Sequence, residues 1–381
     1  MKIAHVVDSM EVGGAETLVS QMCQVQRERG HDASIYAIGA LGPLGERMRG
    51  EGFAVEANVG RHLLEAPRRL FRIFKEMQPS VVHLHNPTPT INGAVSARLA
   101  GVQSILSTWH NLAAPRRFAV ELEYAVAATC CDWIVGICDA TTNNLRKRRG
   151  VPARKIVRVY NCAFPLNGAF TLNGAFPLNG VRPIDRAASE RWPHKNGFTL
   201  VYVGRLAPVK NHALMFHAFR EALATMPSLR LWVVGDGSER TTLEGLAREL
   251  GISAEVSFWG EQLDVAPYFS AADAFIMSSK SEGLPVALIQ AFSVGLPAIV
   301  TDVGGMAEVV GSAQAGLIVP ATDAAEMAKA ILRLAGNDGE RERFSRNAEA
   351  AFHSRFRIET MVDAYMDLYR NTAGARRMES E

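Results

Sequence analysis

The sequence predicts an α/β protein built from two doubly wound parallel-sheet domains. Three observations carry that reading. Short β-rich apolar runs alternate with helical patterns along most of the chain. Such strands read as continuously apolar, as strands covered on both faces do. The pattern then restarts near residue 198, dividing 381 residues into two halves that can each hold a core.

In the first half a strand is expected at residues 3–7, followed by Gly13-Gly14 and a helix through Leu18, Met22 and Val25 that ends at Gly30. A strand follows at 34–38 and a helix at 67–77. Pro79 precedes the strand at 81–85, and further strands fall at 104–108 and 133–137. In the second half strands are expected at 198–203, 230–234, 256–259, 274–277 and 298–301, with helices between them. Parallel sheets bind ligands at the carboxyl ends of their strands, and two facing sheets leave a cleft between domains.

Between the halves, residues 163–180 repeat a hexapeptide three times, twice as Ala-Phe-Pro-Leu-Asn-Gly and once with Thr for Pro. Asn-Gly favours tight turns, and three short copies are too few for a solenoid. A tandem-duplicated, mobile insert in a linker spanning 163–197 is the expectation, with a first domain over 1–162 and a second over 198–355.

Composition narrows the class. With 48% hydrophobic and 21% charged residues, a disordered or collagen-like chain is excluded. The longest apolar stretch, 124–131, stops at Asp132, so no membrane span is expected, and the amino terminus reads as a strand rather than a signal peptide. Five cysteines do not make a disulfide framework, and buried free thiols in a cytoplasmic protein are expected. Residues 1–190 hold 22 Lys+Arg against 16 Asp+Glu, a charge of +6, which leaves −4 for the rest of a chain whose net charge is +2. The excess includes Arg68, Arg69, Arg72, Lys75, Arg116, Arg117 and the run Arg146-Lys147-Arg148-Arg149. An anionic membrane surface or a lipid-phosphate acceptor suits it; nucleic acid does not, because no nucleic-acid module accompanies the charge.

Three constellations carry chemistry. Gly13 and Gly14 sit between a strand and its helix, where bare backbone approaches a phosphate or sugar; the dinucleotide spacing G-x-G-x-x-G is missing. Arg205 and Lys210 flank the loop that begins at Gly204, and two cations at a strand's carboxyl end suit a diphosphate. In the third, Glu282 precedes Gly283, Leu284 and Pro285. Pro285 is expected as the first helical residue, with the N–H groups of Gly283, Leu284 and Val286 open to an anion or hydroxyl. Gln290 lies about 1.5 turns into that helix, so Glu282 and Gln290 reach different parts of one extended ligand.

These motifs resemble those of the retaining glycosyltransferases of the family-four group (glycosyl transferases group 1), over nearly the whole chain. The resemblance implies the GT-B fold, two facing Rossmann-like domains, with 1–162 on the acceptor side and 198–355 holding the nucleotide sugar. The segment 356–381 is implied as a terminal helix that crosses back to the first domain. It also implies residue roles: Arg205 and Lys210 on the diphosphate, Glu282 on the sugar hydroxyls, Gln290 on the ribose, and His110 on the donor sugar. Two departures stand out. Gln290 replaces a second glutamate, and Asn161-Cys162 stands where the family usually has Asn-Gly.

The implied reaction is transfer of a sugar from a nucleoside diphosphate sugar to an acceptor hydroxyl, with retention, in glycan, polysaccharide or glycolipid synthesis. UDP- and GDP-sugars are the donors in view, and the acceptor is a glycan or lipid-linked sugar. No cofactor and no metal are expected, since the chain contains no Asp-x-Asp; Arg205, Lys210 and the helix end near Gly283 carry that charge. Cytoplasmic placement at the inner membrane face is the matching expectation. A nucleotide-sugar epimerase, a non-catalytic sugar-nucleotide-binding protein and, less well supported, a nicotinamide oxidoreductase stay open as alternatives, as does the choice between front-face transfer and a covalent intermediate.

Overall fold

The computed structural model describes residues 1–60, 65–112, 118–166 and 197–379. The hexapeptide repeat from residue 167 on, and Arg116-Arg117, lie outside them. The chain divides into two compact units, Met1–Cys162 with Ile358–Glu381, and Ala163–Arg357.

In the first unit, the strands are β1 (Lys2–Val7), β2 (Asp32–Ala37), β3 (Ala54–Glu56), β4 (Val81–His85), β5 (Ser104–Trp109), β6 (Trp133–Gly136) and β7 (Ile156–Arg158). Among the described residues they form one parallel sheet of order β3-β2-β1-β4-β5-β6-β7. The chain winds outward from β1 to β3 and then crosses back to lay β4 on the other side of β1. Loops leaving β1 and β4 therefore diverge, which opens the crevice where doubly wound sheets bind ligands. Register places His5 opposite His83 and His85 opposite Thr108.

The helices of this unit are α1 (Gly14–Glu28), α2 (Gly42–Gly50), α3 (Glu65–Met77), α4 (Pro87–Ala100), α5 (Phe118–Cys130) and α6 (Asp139–Arg146). Pro79 ends α3 after Gln78 turns left-handed (φ 51°). Pro87 opens α4 at the position where its missing N–H costs nothing, and Gly101 closes it (φ 87°). Leu70, Phe74, Val82, Leu84, Ala94, Ile105 and Ile134 fill the core beneath α3 to α5.

The second unit repeats the winding with β8 (Thr199–Val203), β9 (Arg230–Val234), β10 (Val256–Gly260), β11 (Ala274–Met277), β12 (Ala298–Thr301) and β13 (Gly316–Val319), in the order β10-β9-β8-β11-β12-β13. Its helices are α7 (His212–Thr225), α8 (Arg240–Glu249), α9 (Ala266–Ala271), α10 (Val286–Ser293), α11 (Gly304–Ala313), α12 (Ala324–Ala335) and α13 (Asp338–Ala351). Asp323 and Asn337 cap α12 and α13 through the N–H groups of Glu326 and Glu340, each at 3.0 Å.

The last helix, α14 (Ile358–Glu379), belongs to the first unit. Tyr365 and Tyr369 are fully buried there, Asp363 pairs with Arg29 at 2.6 Å, and Trp133 donates to Thr372 Oγ1 at 2.7 Å.

The structure departs from the sequence-based expectation in three ways. Strands β3, β7 and β13 were not anticipated, being edge strands of three or four residues, too short to show a pattern. The final helix begins at Ile358, two residues inside the expected segment 356–381. Pro285 is not helical: it is the extended residue before α10 (ψ 128°), and Val286 is the first helical one. The five cysteines are all free thiols, four buried and Cys130 half-buried.

Candidate active site

In the second unit the crossover falls between β8 and β11, and the loops that leave these two strands carry Arg205, Lys210 and Glu282. Gly204 ends β8 with φ 155°, and Gly235 ends the adjoining β9 with φ 136°. A Cβ on Gly235 would stand 2.0 Å from the Gly204 carbonyl oxygen, so only glycine lets the two strand ends lie this close. Tyr202 OH donates to the Arg205 carbonyl at 3.2 Å, which fixes where the loop starts. The Arg205 side chain is exposed, and among the described residues its guanidinium pairs with no carboxylate.

Lys210 closes a short turn and is followed by Asn211 in the left-handed region (φ 53°). Ser278, just past β11, donates to the carbonyls of Lys210 (3.0 Å) and Asn211 (2.9 Å), tying the two loops together. Lys210 Nζ then meets Glu282 Oε1 at 2.5 Å. Ser279 Oγ donates to the same carboxylate oxygen at 2.8 Å, and Thr301 Oγ1 to the Ser279 carbonyl at 2.7 Å. A buried carboxylate is thus held by one cation and one hydroxyl at a strand end.

Leu284 and Val286 bury their side chains, while the Gly283 carbonyl accepts from Gly305 N–H at 2.6 Å. Gln290, 7% exposed, lies in the second turn of α10. His212 packs edge-on against Tyr202 at 4.5 Å, and burial brings its pKa down to about 4, so it is a neutral ring behind the Lys210 turn.

In the first unit, His110 directly follows β5 and is 6% exposed. Its backbone N–H donates to Asn86 Oδ1 at 3.1 Å. Asn86 itself holds a positive φ of 74° between β4 and α4, and its amide reaches Asp8 at 3.5 Å beyond β1. One asparagine therefore connects the loops after β1, β4 and β5. Backbone kept in a sparsely populated region, as at Asn86, gathers at functional sites.

Behind His110 runs a buried line of imidazoles. His110 Nε2 lies 3.1 Å from His85 Nδ1, His85 Nε2 lies 3.0 Å from His5 Nδ1, and His5 Nε2 lies 2.9 Å from Gln26 Oε1. His83 stands beside them, its Nδ1 2.8 Å from Tyr369 OH and its Nε2 2.7 Å from Thr108 Oγ1. Burial lowers His5 and His110 to about 4 and takes His83 and His85 well below the usual 6.5, so all four are neutral at pH 7. Sequence reasoning passed over this line and Asn86. A signal was present: His-x-His inside an apolar strand puts both rings on one face of the sheet.

Gly13 is extended (φ −161°), a conformation any residue adopts. A Cβ there would meet Glu16 Oε2 at 2.3 Å, so a carboxylate already faces the start of α1. That end suits a hydroxyl better than a phosphate. The basic run also resolves into separate roles. Arg148 is half-buried, pairs with Glu121 and stacks 4.2 Å over Trp109, whereas Arg146, Lys147 and Arg149 are exposed.

Comparison with known proteins bears on both units. Residues 12–163 match the family model described as Glycosyltransferase Family 4, and residues 185–351 match Glycosyl transferases group 1. The lipopolysaccharide core biosynthesis glycosyltransferase LpsE of Rhizobium meliloti (strain 1021) is 35% identical over 40% of this chain and 45% of its own length. Against it and its counterpart LpsD, the chain spans about half the relative's length. A UDP-Gal:alpha-D-GlcNAc-diphosphoundecaprenol alpha-1,3-galactosyltransferase of Escherichia coli is 26% identical over 79% of this chain and 77% of that one. Among solved structures, Anabaena Alr3699/HepE in complex with UDP superposes with a TM-score of 0.82 at 18% identity, covering 97% of this chain and 100% of that one.

Proposed function

This chain belongs to the family-four, group 1 glycosyltransferases and has the GT-B fold, and on that premise we propose that it transfers a sugar from a nucleoside diphosphate sugar to an acceptor hydroxyl with retention at the anomeric carbon. The observation that carries the proposal is the Lys210–Glu282 pair at the crossover of the second sheet. An ion pair this buried contributes little to stability over an apolar pair of similar volume. Its value is chemical: a fixed cation for a phosphate and a carboxylate for sugar hydroxyls, held by one another until a donor arrives.

The residues divide the work. Arg205 and Lys210 bind the diphosphate and stabilise the charge that grows on it as the glycosidic bond breaks. Glu282 accepts from hydroxyls of the transferred sugar, Gln290 meets the ribose, and the backbone at Gly283, Leu284 and Val286 donates toward the phosphates. In the first unit, His110 and the bare backbone of Gly13 and Gly14 are the candidate sugar contacts. The reacting carbon gains oxocarbenium character, as in glycoside hydrolysis. A front-face course, in which the acceptor proton passes to the departing phosphate oxygen, balances the charge without a protein nucleophile. Because two fixed cations neutralise the diphosphate, the reaction needs no metal.

A uridine diphosphate sugar is the first donor to test, since the similar galactosyltransferase takes UDP-Gal and the similar Anabaena structure holds UDP. The names of the relatives point to a lipid-linked or lipopolysaccharide acceptor. An exposed apolar row supports work at a membrane surface: Phe118, Leu122 and Val126 are 80%, 56% and 54% exposed at helical spacing on α5. Val95 and Leu99 form a second exposed row on α4, which packs against α5. No helix among the described residues is long and apolar enough to cross a membrane.

The test is transfer from UDP-, GDP- and ADP-sugars in excess EDTA, with Arg205→Ala alongside. Metal-free turnover that falls by about 10²-fold in the variant supports the reading. Activity that returns only with added magnesium or manganese, or an Arg205→Ala enzyme that turns over normally, overturns it.

A further inference from the structure

Both side-chain bonds of Glu282 fall on one oxygen. Lys210 Nζ, from the loop after β8, donates to Oε1 at 2.5 Å, and Ser279 Oγ, from the loop after β11, donates to the same atom at 2.8 Å. A carboxylate oxygen has two lone pairs, so Oε1 is filled. Oε2 has no partner among the described residues. The two donors respond differently to a nucleoside diphosphate. The diphosphate outweighs one carboxylate in charge and draws Lys210 toward itself, whereas the uncharged Ser279 hydroxyl stays where it is.

We propose that Ser279 is a positioning residue: it keeps Glu282 Oε1 in place when Lys210 turns to the diphosphate, so that Oε2 stays presented to hydroxyls of the transferred sugar. The proposal rests on the reading that Glu282 meets that sugar. The last torsion of a glutamate is broad and roughly two-fold, so a carboxylate with no donor on either oxygen turns readily. A hydroxyl bonded to an ionised acceptor makes one of the stronger hydrogen bonds, which suits it to stop that rotation. Ser279 is fully buried, so water does not compete for the bond.

The loop itself is fixed by other groups. Thr301 Oγ1 donates to the Ser279 carbonyl at 2.7 Å, Lys280 N–H to the Val209 carbonyl at 2.8 Å, and Gly305 N–H to the Gly283 carbonyl at 2.6 Å. Ser278 adds its bonds to the Lys210 and Asn211 carbonyls. None of these uses Ser279 Oγ, whose one partner among the described residues is the carboxylate. The hydroxyl can therefore be removed with the loop left standing, which separates positioning from folding.

The experiment uses full-length wild type, Ser279→Ala, Glu282→Ala and the double variant. Cleavage of radiolabelled UDP-, GDP- and ADP-sugars by water, which needs no acceptor, is followed in single turnover, and affinity for the free nucleoside diphosphate is measured by calorimetry. Ser279→Ala should slow cleavage about tenfold, the worth of one hydrogen bond to a charged group, with nucleotide affinity within about twofold of wild type. In the Glu282→Ala background the same change should cost less than about twofold, because no carboxylate is left to hold. Ser279→Ala that cleaves at the wild-type rate, or a tenfold cost that persists without Glu282, overturns the proposal. So does nucleotide affinity that falls in step with the rate, the mark of a loop that has moved. Glu282→Ala at the wild-type rate overturns the underlying reading of the carboxylate, whereas a slow Glu282→Ala beside a normal Ser279→Ala overturns only the part given to Ser279. Wild type that binds no nucleotide and cleaves no donor overturns both.

Discussion

Lys210 Nζ donates to Glu282 Oε1 at 2.5 Å across the crossover of the second sheet, with the lysine side chain 18% exposed and the glutamate 8%. The two residues are 72 positions apart, and each sits on a loop fixed by hydroxyls: Ser278 on the Lys210 turn, Ser279 on the Glu282 carboxylate. Geometry this constrained keeps a cation and an anion separate in role though joined in space. A donor would insert its phosphates on one side and its sugar on the other.

Breaking the pair from one side should cost stability as well as activity. Lys210→Ala leaves a buried carboxylate without its cation, a loss of roughly 3–5 kcal/mol. Adding Glu282→Gln removes the stranded charge, so the double variant should recover most of its urea stability while turnover stays at least about 10²-fold down. Recovery of turnover along with stability would mean that the pair only holds the fold.

Gln290 should matter to binding more than to chemistry. Ribose is remote from the reacting carbon, so its contact adds mostly uniform binding. Gln290→Ala is expected to raise donor KM by about fivefold with a smaller effect on kcat, and Gln290→Glu to stay within a few-fold of wild type. Calorimetry that finds unchanged donor affinity in Gln290→Ala would take the ribose contact away from this residue.

Membrane contact should depend on apolar and basic groups together. Replacing Phe118, Leu122 and Val126 with Ser should weaken sedimentation with anionic liposomes at every salt concentration. Reversing Arg146, Lys147 and Arg149 should weaken it mainly at low salt, where screening is slight. Arg148 is left out, being committed to Glu121 and Trp109. Wild-type protein that ignores anionic vesicles would reduce both features to ordinary surface.

Acid should unfold the first unit through its histidines. His5 and His110 titrate near 4 when folded and near 6.5 when unfolded, and His83 and His85 shift the same way. The unfolded chain therefore binds more protons in that window, so their contribution is whole above pH 6.5 and is lost as pH falls toward 4. Each pKa unit of separation is worth about 1.4 kcal/mol per group. The urea midpoint should drop steeply between pH 6.5 and 4; a midpoint flat across that range contradicts the neutral, buried line.

Much of this was legible in the chain because strong local signals coincide with function. Gly204 and Arg205 follow an apolar run, and Glu282 precedes a proline and a helix, so the loops at the crossover of the second sheet stood out. What escaped notice depends on long-range pairing. His5 and His83 are neighbours only through strand register, and Asn86 gathers three loops that sequence separates by tens of residues. Pro285 shows the limit of a local rule: proline suits both the first helical position and the extended residue before it, and only the fold decides between them.

The most direct test of sugar transfer with retention is the anomeric configuration of the product. An α-linked UDP-sugar and a hydroxyl acceptor, incubated with the enzyme in EDTA, give a linkage whose anomeric proton coupling is read by 1H NMR. The account predicts an α-linked product, the configuration of the donor. A β-linked product would contradict it.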